Sequence, residues 1–144
     1  MATSLSQADV IYNQLGEYID VVVEPERRDT FPAIALAASY LKYEKSCADE
    51  EVVVVMPCDP FTEAGYFKVI EQMVHAVDDN VADLVLMGIT PTYPSVKYGY
   101  VVPDESKLKG GIFSVKRFTE KPNVATAEYL IKENAFWNGG VFAF

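Results

Sequence analysis

The chain has 144 residues, of which half are hydrophobic and 23% are charged, and its formal net charge is −9. A chain of this length suits one domain with its own core. The negative charge and the lack of a basic stripe argue against a nucleic-acid or membrane surface, and no apolar run reaches the ~20 residues of a membrane span. Cys47 and Cys58 predict neither a metal site nor a disulfide framework, so we expect a reduced, cytoplasmic setting.

Three short apolar runs predict buried strands, at residues 18–24, 51–57 and 82–89. A helix is predicted after the first run, with Thr30 as its N-cap and Pro32 in its first turn. Helical spacing also runs from Thr62 to about Val77. Alternating strands and helices predict an α/β fold with a mostly parallel sheet, in which these three strands are neighbours.

The second half of the chain predicts a hairpin, a short helix and a last strand. The hairpin joins residues 98–103 and 111–120 through a loop that holds Gly110 and Gly111. The helical pattern covers residues 124–134, and the strand covers residues 137–144. Because the sequence stops on this apolar run and opens on a small polar stretch, we expect a piece of a longer domain, incomplete at both ends.

Ligands of parallel α/β sheets bind beyond the carboxyl ends of the strands. Five residues lie at or near predicted strand ends and are expected to converge on one edge: Glu24, Asp59, Gly99, Lys121 and Asn138. Asp59 is well placed to hold Mg²⁺, which prefers one or two carboxylates together with substrate phosphates. Each position also has a plain structural interpretation: a turn or cap for Asp59, a strand bulge for Gly99, a solvated charge pair for Glu120 and Lys121, and a turn for Asn138.

Two common kinds of catalytic machinery are absent from the sequence. The single histidine, His75, leaves no Ser/His/Asp or Cys/His arrangement to be built. Neither G-x-x-x-x-G-K-[ST] nor G-x-G-x-x-G occurs, so these 144 residues contain no glycine-rich phosphate-binding loop of those types.

The order and spacing of five segments resemble the bacterial mannose-1-phosphate guanylyltransferases. "EPERRDTFPAIA" resembles E-P-x-x-R-N-T-x-P-A-I-A, and "VVVVMPCDP" resembles a strand that ends in P-x-D-H. "GITPTYPSVKYGY" resembles G-I-x-P-T-x-P-x-T-G-Y-G-Y, and "FTEKP" with "WNGGVF" resembles F-x-E-K-P followed by W-N-S-G-M-F. The resemblance covers residues 18–144 and leaves residues 1–17 as a poorly matched leader of a partial catalytic domain.

The resemblance implies a Rossmann-like nucleotide-diphospho-sugar transferase fold with helices on both faces of the sheet. The implied reaction is nucleotidyl transfer from GTP to mannose-1-phosphate, giving GDP-mannose and pyrophosphate with Mg²⁺ as cofactor. The implied partners are therefore these two substrates, with homo-oligomerisation of a longer protein left open. The implied site consists of Asp59 on the metal, Lys121 on the sugar phosphate, Glu24 and Arg28 near the nucleotide, and Tyr98, Gly99, Tyr100, Glu120 and Asn138 around the sugar.

Departures from the family pattern keep two alternatives open. Asp29, Pro60 and Gly139 stand where the family usually has Asn, His and Ser. Nothing before Glu24 resembles the family's G-G-x-G-T-R-L loop, which cradles the triphosphate, so we expect the chain to be inactive alone. The alternatives are a non-catalytic sugar-nucleotide-binding or regulatory module, and a nucleotidyltransferase for another sugar-1-phosphate.

Overall fold

The computed structural model describes residues 1–109 and 111–144, with the side chains of residues 105–109 left aside. The described residues form four helices and seven strands: β1 Ala2–Ser4, α1 Leu5–Leu15, β2 Val22–Glu24, α2 Thr30–Tyr43, β3 Val54–Val55, α3 Ala64–Asp78, β4 Val85–Ile89, β5 Tyr100–Lys109, β6 Ile112–Thr119, α4 Val124–Lys132 and β7 Phe136–Ala143. The predicted α/β class is confirmed. The chain divides into two compact units, Met1–Val53 and Val54–Phe144.

The first unit contains a two-stranded parallel sheet and two helices. Ala2 pairs with Val22 and Ser4 pairs with Glu24, so the predicted strand at residues 18–24 is shortened to β2 and has β1 as its partner. Helix α2 begins at Thr30, and the N-cap position belongs to Asp29. The prediction of Thr30 as N-cap is therefore wrong by one residue.

The second unit is built on a five-stranded sheet in which every pairing is antiparallel. Strand β7 pairs with β4 along one side and with β3 and β5 along the other. The expectation that the 52–56 and 84–89 strands are direct neighbours in a parallel sheet is wrong, because β7 lies between them. The predicted hairpin of β5 and β6 is confirmed, although Gly110 of its loop lies outside the described residues.

Helix α4 packs on this sheet and contributes to a buried core cluster of the second unit. The buried cluster consists of Tyr100, Val102, Ala127, Leu130, Ala135 and Trp137. Ala127 and Leu130 recur at the helical spacing of three, which places both on the side of α4 that contacts the sheet. No helix among residues 1–109 and 111–144 has the length and apolarity that crossing a membrane requires.

Candidate functional site

Three segments of the second unit meet at one end of its sheet. Tyr100 at the start of β5 lies opposite both Thr119 at the end of β6 and Trp137 near the start of β7. Trp137 also lies opposite Ile89, the last residue of β4. The segments 98–100, 119–121 and 137–138 are therefore side by side along this end, which we call the site edge.

One face of the site edge brings together three of the predicted residues. The backbone N–H of Asn138 donates to the carbonyl oxygen of Gly99 over 2.8 Å. A Cβ atom added at Gly99 would lie 2.6 Å from Oε2 of Glu120 and 2.7 Å from Cζ of Phe118. Gly99, Glu120 and Asn138 thus share one face, as expected for positions that lie opposite one another in an antiparallel sheet.

Lys121 lies directly beside this group. Its Nζ is 3.5 Å from Oε1 of Glu120, and both side chains are more than half exposed. An exposed pair of this kind contributes little to stability. The two charged groups are therefore free to exchange this contact for contacts with a ligand.

Two aromatic residues of the predicted site lie on the opposite face. Tyr100 is fully buried in the core, and its hydroxyl donates to the carbonyl oxygen of Ser95 over 2.9 Å. We therefore assign Tyr100 to the core. The ring of Tyr98 is half-exposed and lies 5.0 Å from the ring of Trp137.

Sequence reasoning missed two residues of this aromatic group. The ring of Tyr93 lies 5.1 Å from that of Trp137 at an angle of 70°, and the negative charge that Tyr93 would carry, together with its hydrogen bond to Tyr98, raises the pKa of Tyr98. The indole Nε1 of Trp137 is buried without a hydrogen-bond partner among the described residues. Tyr93 could have been predicted from its position in the short loop between β4 and β5, because that loop lies at the same end of the sheet as Trp137.

Asp59 follows β3 and is exposed. Strands β3 and β4 both run antiparallel to β7, so their carboxyl ends point toward the end of the sheet that holds Trp137 and Asn138. The described residues contain no group of three or more His, Cys, Asp or Glu side chains arranged to hold a metal ion. A single exposed carboxylate can hold Mg²⁺ when substrate phosphates and water supply the remaining ligands.

The first unit has its own candidate site, at the junction of β2 and α2. A cavity of about 500 Å³ is lined by Glu24, Pro25, Glu26, Arg28, Pro32 and Leu36. The guanidinium of Arg28 donates to Oε2 of Glu26 over 2.6 Å and 3.1 Å. The side-chain partner of Arg28 is therefore Glu26. Both members of this pair are about two-thirds exposed.

The chain is similar in sequence to known bacterial proteins. The chain is 32% identical over 146 residues to mannose-1-phosphate guanylyltransferase from Escherichia coli, a match that covers 87% of this chain and 28% of that protein. It is 35% identical over 127 residues to the xanthan biosynthesis protein XanB from Xanthomonas campestris pv. campestris, covering 86% of this chain and 26% of that protein. The chain thus spans about a quarter of the length of these relatives.

The fold agrees with these matches. A crystal structure from Thermus thermophilus, described as a mannose-1-phosphate geranyltransferase, superimposes with a TM-score of 0.83 at 28% identity. That superposition covers 99% of this chain and 41% of the Thermus chain. The family model of the nucleotidyl transferases matches residues 7–144 of the chain. By this match across nearly its whole length, the chain belongs to the nucleotidyl transferase family.

Proposed function

We propose that the chain provides the sugar-phosphate side of a mannose-1-phosphate guanylyltransferase, which transfers GMP from GTP to mannose-1-phosphate. The observation that carries the proposal is the site edge, where Gly99, Glu120 and Asn138 share a face and Lys121 lies beside them. The similarity to the Escherichia coli enzyme of that name supports the choice of substrates.

The side chains at the site edge suit both halves of a sugar phosphate. The carboxylate of Glu120 accepts hydrogen bonds from sugar hydroxyls, and the amide of Asn138 both donates and accepts. The ammonium group of Lys121 binds the phosphate as a point charge. Because Gly99 has no side chain, the Glu120 carboxylate and the Phe118 ring can pack against its backbone, which holds the carboxylate at the site edge.

The reaction needs little covalent help from the protein. A sugar phosphate is already an anion at neutral pH, so its oxygen can attack the α-phosphorus without a general base. The new bond joins that oxygen to the α-phosphorus, and the bond from the α-phosphorus to the pyrophosphate oxygen breaks. The contribution of Lys121 is to align and neutralise the attacking phosphate.

Asp59 is the residue that would hold Mg²⁺ in this proposal. When bound, the ion supplies positive charge against the phosphate oxygens. The carboxylate of Asp59 is exposed on the loop after β3, and this exposure leaves it accessible to an ion that arrives with a nucleotide.

Glu24 and Arg28 would serve the nucleotide. The cavity between β2 and α2 combines carboxylates, a guanidinium and apolar walls from Pro32 and Leu36. A carboxylate accepts the ring and exocyclic N–H groups of guanine, while apolar walls suit the faces of a base. Replacing Glu24 by Gln would remove the charge on this acceptor and should weaken GTP binding more than ATP binding.

The chain alone is proposed to bind mannose-1-phosphate without turning it over, because its 144 residues contain no sequence like the loop that cradles a triphosphate in this family. Removing one preorganised donor typically costs about 3–4 kcal/mol in the transition state, roughly a hundred- to thousandfold in rate. Losing several together would abolish detectable turnover.

The test combines a binding measurement with a pyrophosphate-release assay. The chain is titrated by calorimetry with mannose-1-phosphate, mannose and glucose-1-phosphate, and is then assayed with GTP, Mg²⁺ and mannose-1-phosphate beside the Escherichia coli enzyme. We expect preferential binding of mannose-1-phosphate and no pyrophosphate from the chain. Equal affinity for mannose and mannose-1-phosphate would contradict the phosphate role of Lys121, and tighter binding of glucose-1-phosphate would favour a different sugar. Robust turnover would refute the claim that the chain is inactive alone.

A further inference from the structure

Lys121 has a backbone conformation that lysine rarely adopts. Its φ angle is 41°, in the left-handed region, where the Cβ atom of an L-residue crowds the neighbouring carbonyl. Nothing in the sequence of this segment predicts it. Strained positions of this kind persist only where the surrounding structure holds them, and they are concentrated at functional sites.

The left-handed turn has a direct consequence for the side chains. Successive residues of an extended strand point to opposite faces, so Glu120 and Lys121 would diverge if β6 simply continued. In the structure their charged groups are 3.5 Å apart. The turn at Lys121 therefore brings the ammonium group to the side on which the carboxylate already lies.

The residues that follow are fixed in place. Pro122 is buried, and its ring restricts its own φ angle. Asn123 is the N-cap of α4, and its Oδ1 accepts from the backbone N–H of Thr126 over 2.8 Å. Since α4 is anchored in the core through Ala127 and Leu130, the end of the Lys121–Asn123 connection is tied to the core.

We infer that the Lys121–Asn123 connection is a positioning device, which holds Lys121 in a left-handed conformation so that its ammonium group and the Glu120 carboxylate face the same sugar phosphate. Asn123 acts as a positioning residue through its cap on α4. The inference rests on the proposed function, because it takes a sugar phosphate as the ligand. It adds that the affinity for the phosphate depends on backbone geometry as well as on the presence of a lysine.

The first arm of the test separates strain from function at Lys121. Lys121→Gly relieves the left-handed strain and removes the ammonium group, so its Tm should rise by about 2–4 °C while the affinity for mannose-1-phosphate falls about tenfold or more. Asn80→Gly is the matched control, because Asn80 is also left-handed, with a φ angle of 55°, but lies at the end of α3. It should raise the Tm less, since asparagine tolerates this region, and should leave the affinity unchanged.

The second arm tests Asn123 with a ratio that a purely structural role would not change. The ratio is the affinity for mannose-1-phosphate divided by the affinity for mannose, measured by NMR titration of the whole chain. Asn123→Ala should lower this ratio about fivefold or more, because only the phosphate contact of Lys121 depends on the cap. Asn123→Asp and Asn123→Ser should restore it, since both residues are good N-caps.

The outcomes are distinguishable. A fall in the ratio for Asn123→Ala with rescue by Asp and Ser would support the positioning role. Equal losses of affinity for both ligands, or a lower Tm for Lys121→Gly, would overturn it while leaving the proposed function intact. A wild-type chain that binds neither ligand would overturn the proposed function and the positioning role with it.

Discussion

At the scale of single residues, Gly99 is constrained by its neighbours. A methyl group at this position would lie 2.6 Å from the Glu120 carboxylate and 2.7 Å from the ring of Phe118, both well inside van der Waals contact. Gly99→Ala should therefore displace the carboxylate, weaken mannose-1-phosphate binding about tenfold, and cost about 1–3 kcal/mol of stability through overpacking. Calorimetric titration and urea unfolding measure the two effects.

Gly65→Ala is the matched control for this substitution. A Cβ atom at Gly65 meets nothing within 4 Å, and Gly65 lies within α3, where alanine is the better helix former by about 1 kcal/mol. The control should be slightly more stable than the wild type and should bind mannose-1-phosphate equally well. If Gly99→Ala behaved like its control, the close packing of Glu120 and Phe118 against Gly99 would have no effect on ligand binding.

The same scale shows which site residues could be predicted. The proximity of Gly99, Glu120, Lys121 and Asn138 could be predicted because each lies at or near a strand end, and strand ends can be recognised in the sequence. The burial of Tyr100 in the core could not be predicted from its position at a strand end. Tyr98 and Tyr100 are two residues apart and share a face of the sheet, but only the packing of α4 decides which of the two rings becomes fully buried.

At the scale of elements, an ion pair supported by a tyrosine ties α4 and its C-cap to β6. The hydroxyl of Tyr129 donates to Oε1 of Glu133 over 2.7 Å, and the guanidinium of Arg117 contacts Oε2. These contacts, with the Tyr129 hydrogen bond contributing most, lower the pKa of Glu133 below its ordinary value of 4.5. The carboxylate is therefore stabilised in the folded state.

This shift predicts a pH dependence with a defined sign. Because the folded-state pKa of Glu133 is depressed, the stabilisation is fully present above about pH 4.5 and is lost as the pH falls through the folded-state pKa. The urea midpoints of the wild type and Glu133→Gln should differ by a constant amount above that pH and should converge below it. Glu128→Gln, an exposed position on the same helix, should follow the wild type throughout. A constant difference down to about pH 3 would exclude this role for Glu133.

Strand order was the part of the fold that the sequence did not reveal. Residues 51–57, 82–89 and 137–144 are all short apolar runs, and a strand buried between two others has the same composition whichever partners it has. The insertion of β7 between β3 and β4 depends on the chain reversal through the β5–β6 hairpin and α4. The hairpin itself was predictable because its strands are close in sequence.

At the scale of the whole molecule, the chain is two compact units, each with one candidate site. The first unit has the cavity at the β2–α2 junction, lined in part by Glu24 and Arg28. The second has the site edge with Gly99, Glu120 and Asn138. Under the proposed function, nucleotide recognition would belong to the first unit and sugar-phosphate recognition to the second. The net charge of the chain is −9, so the cations at these sites would offset an otherwise unfavourable field for anions.

The site edge is proposed to bind a sugar-1-phosphate. The most direct measurement is an NMR titration of the isotope-labelled chain with mannose-1-phosphate, in which the backbone amide shifts report the contacted residues. We expect the largest shifts on Gly99, Glu120, Lys121 and Asn138, and we expect inorganic phosphate alone to shift mainly Lys121. Shifts that avoid these four residues, or a chain whose spectrum does not respond to mannose-1-phosphate, would contradict the proposed binding.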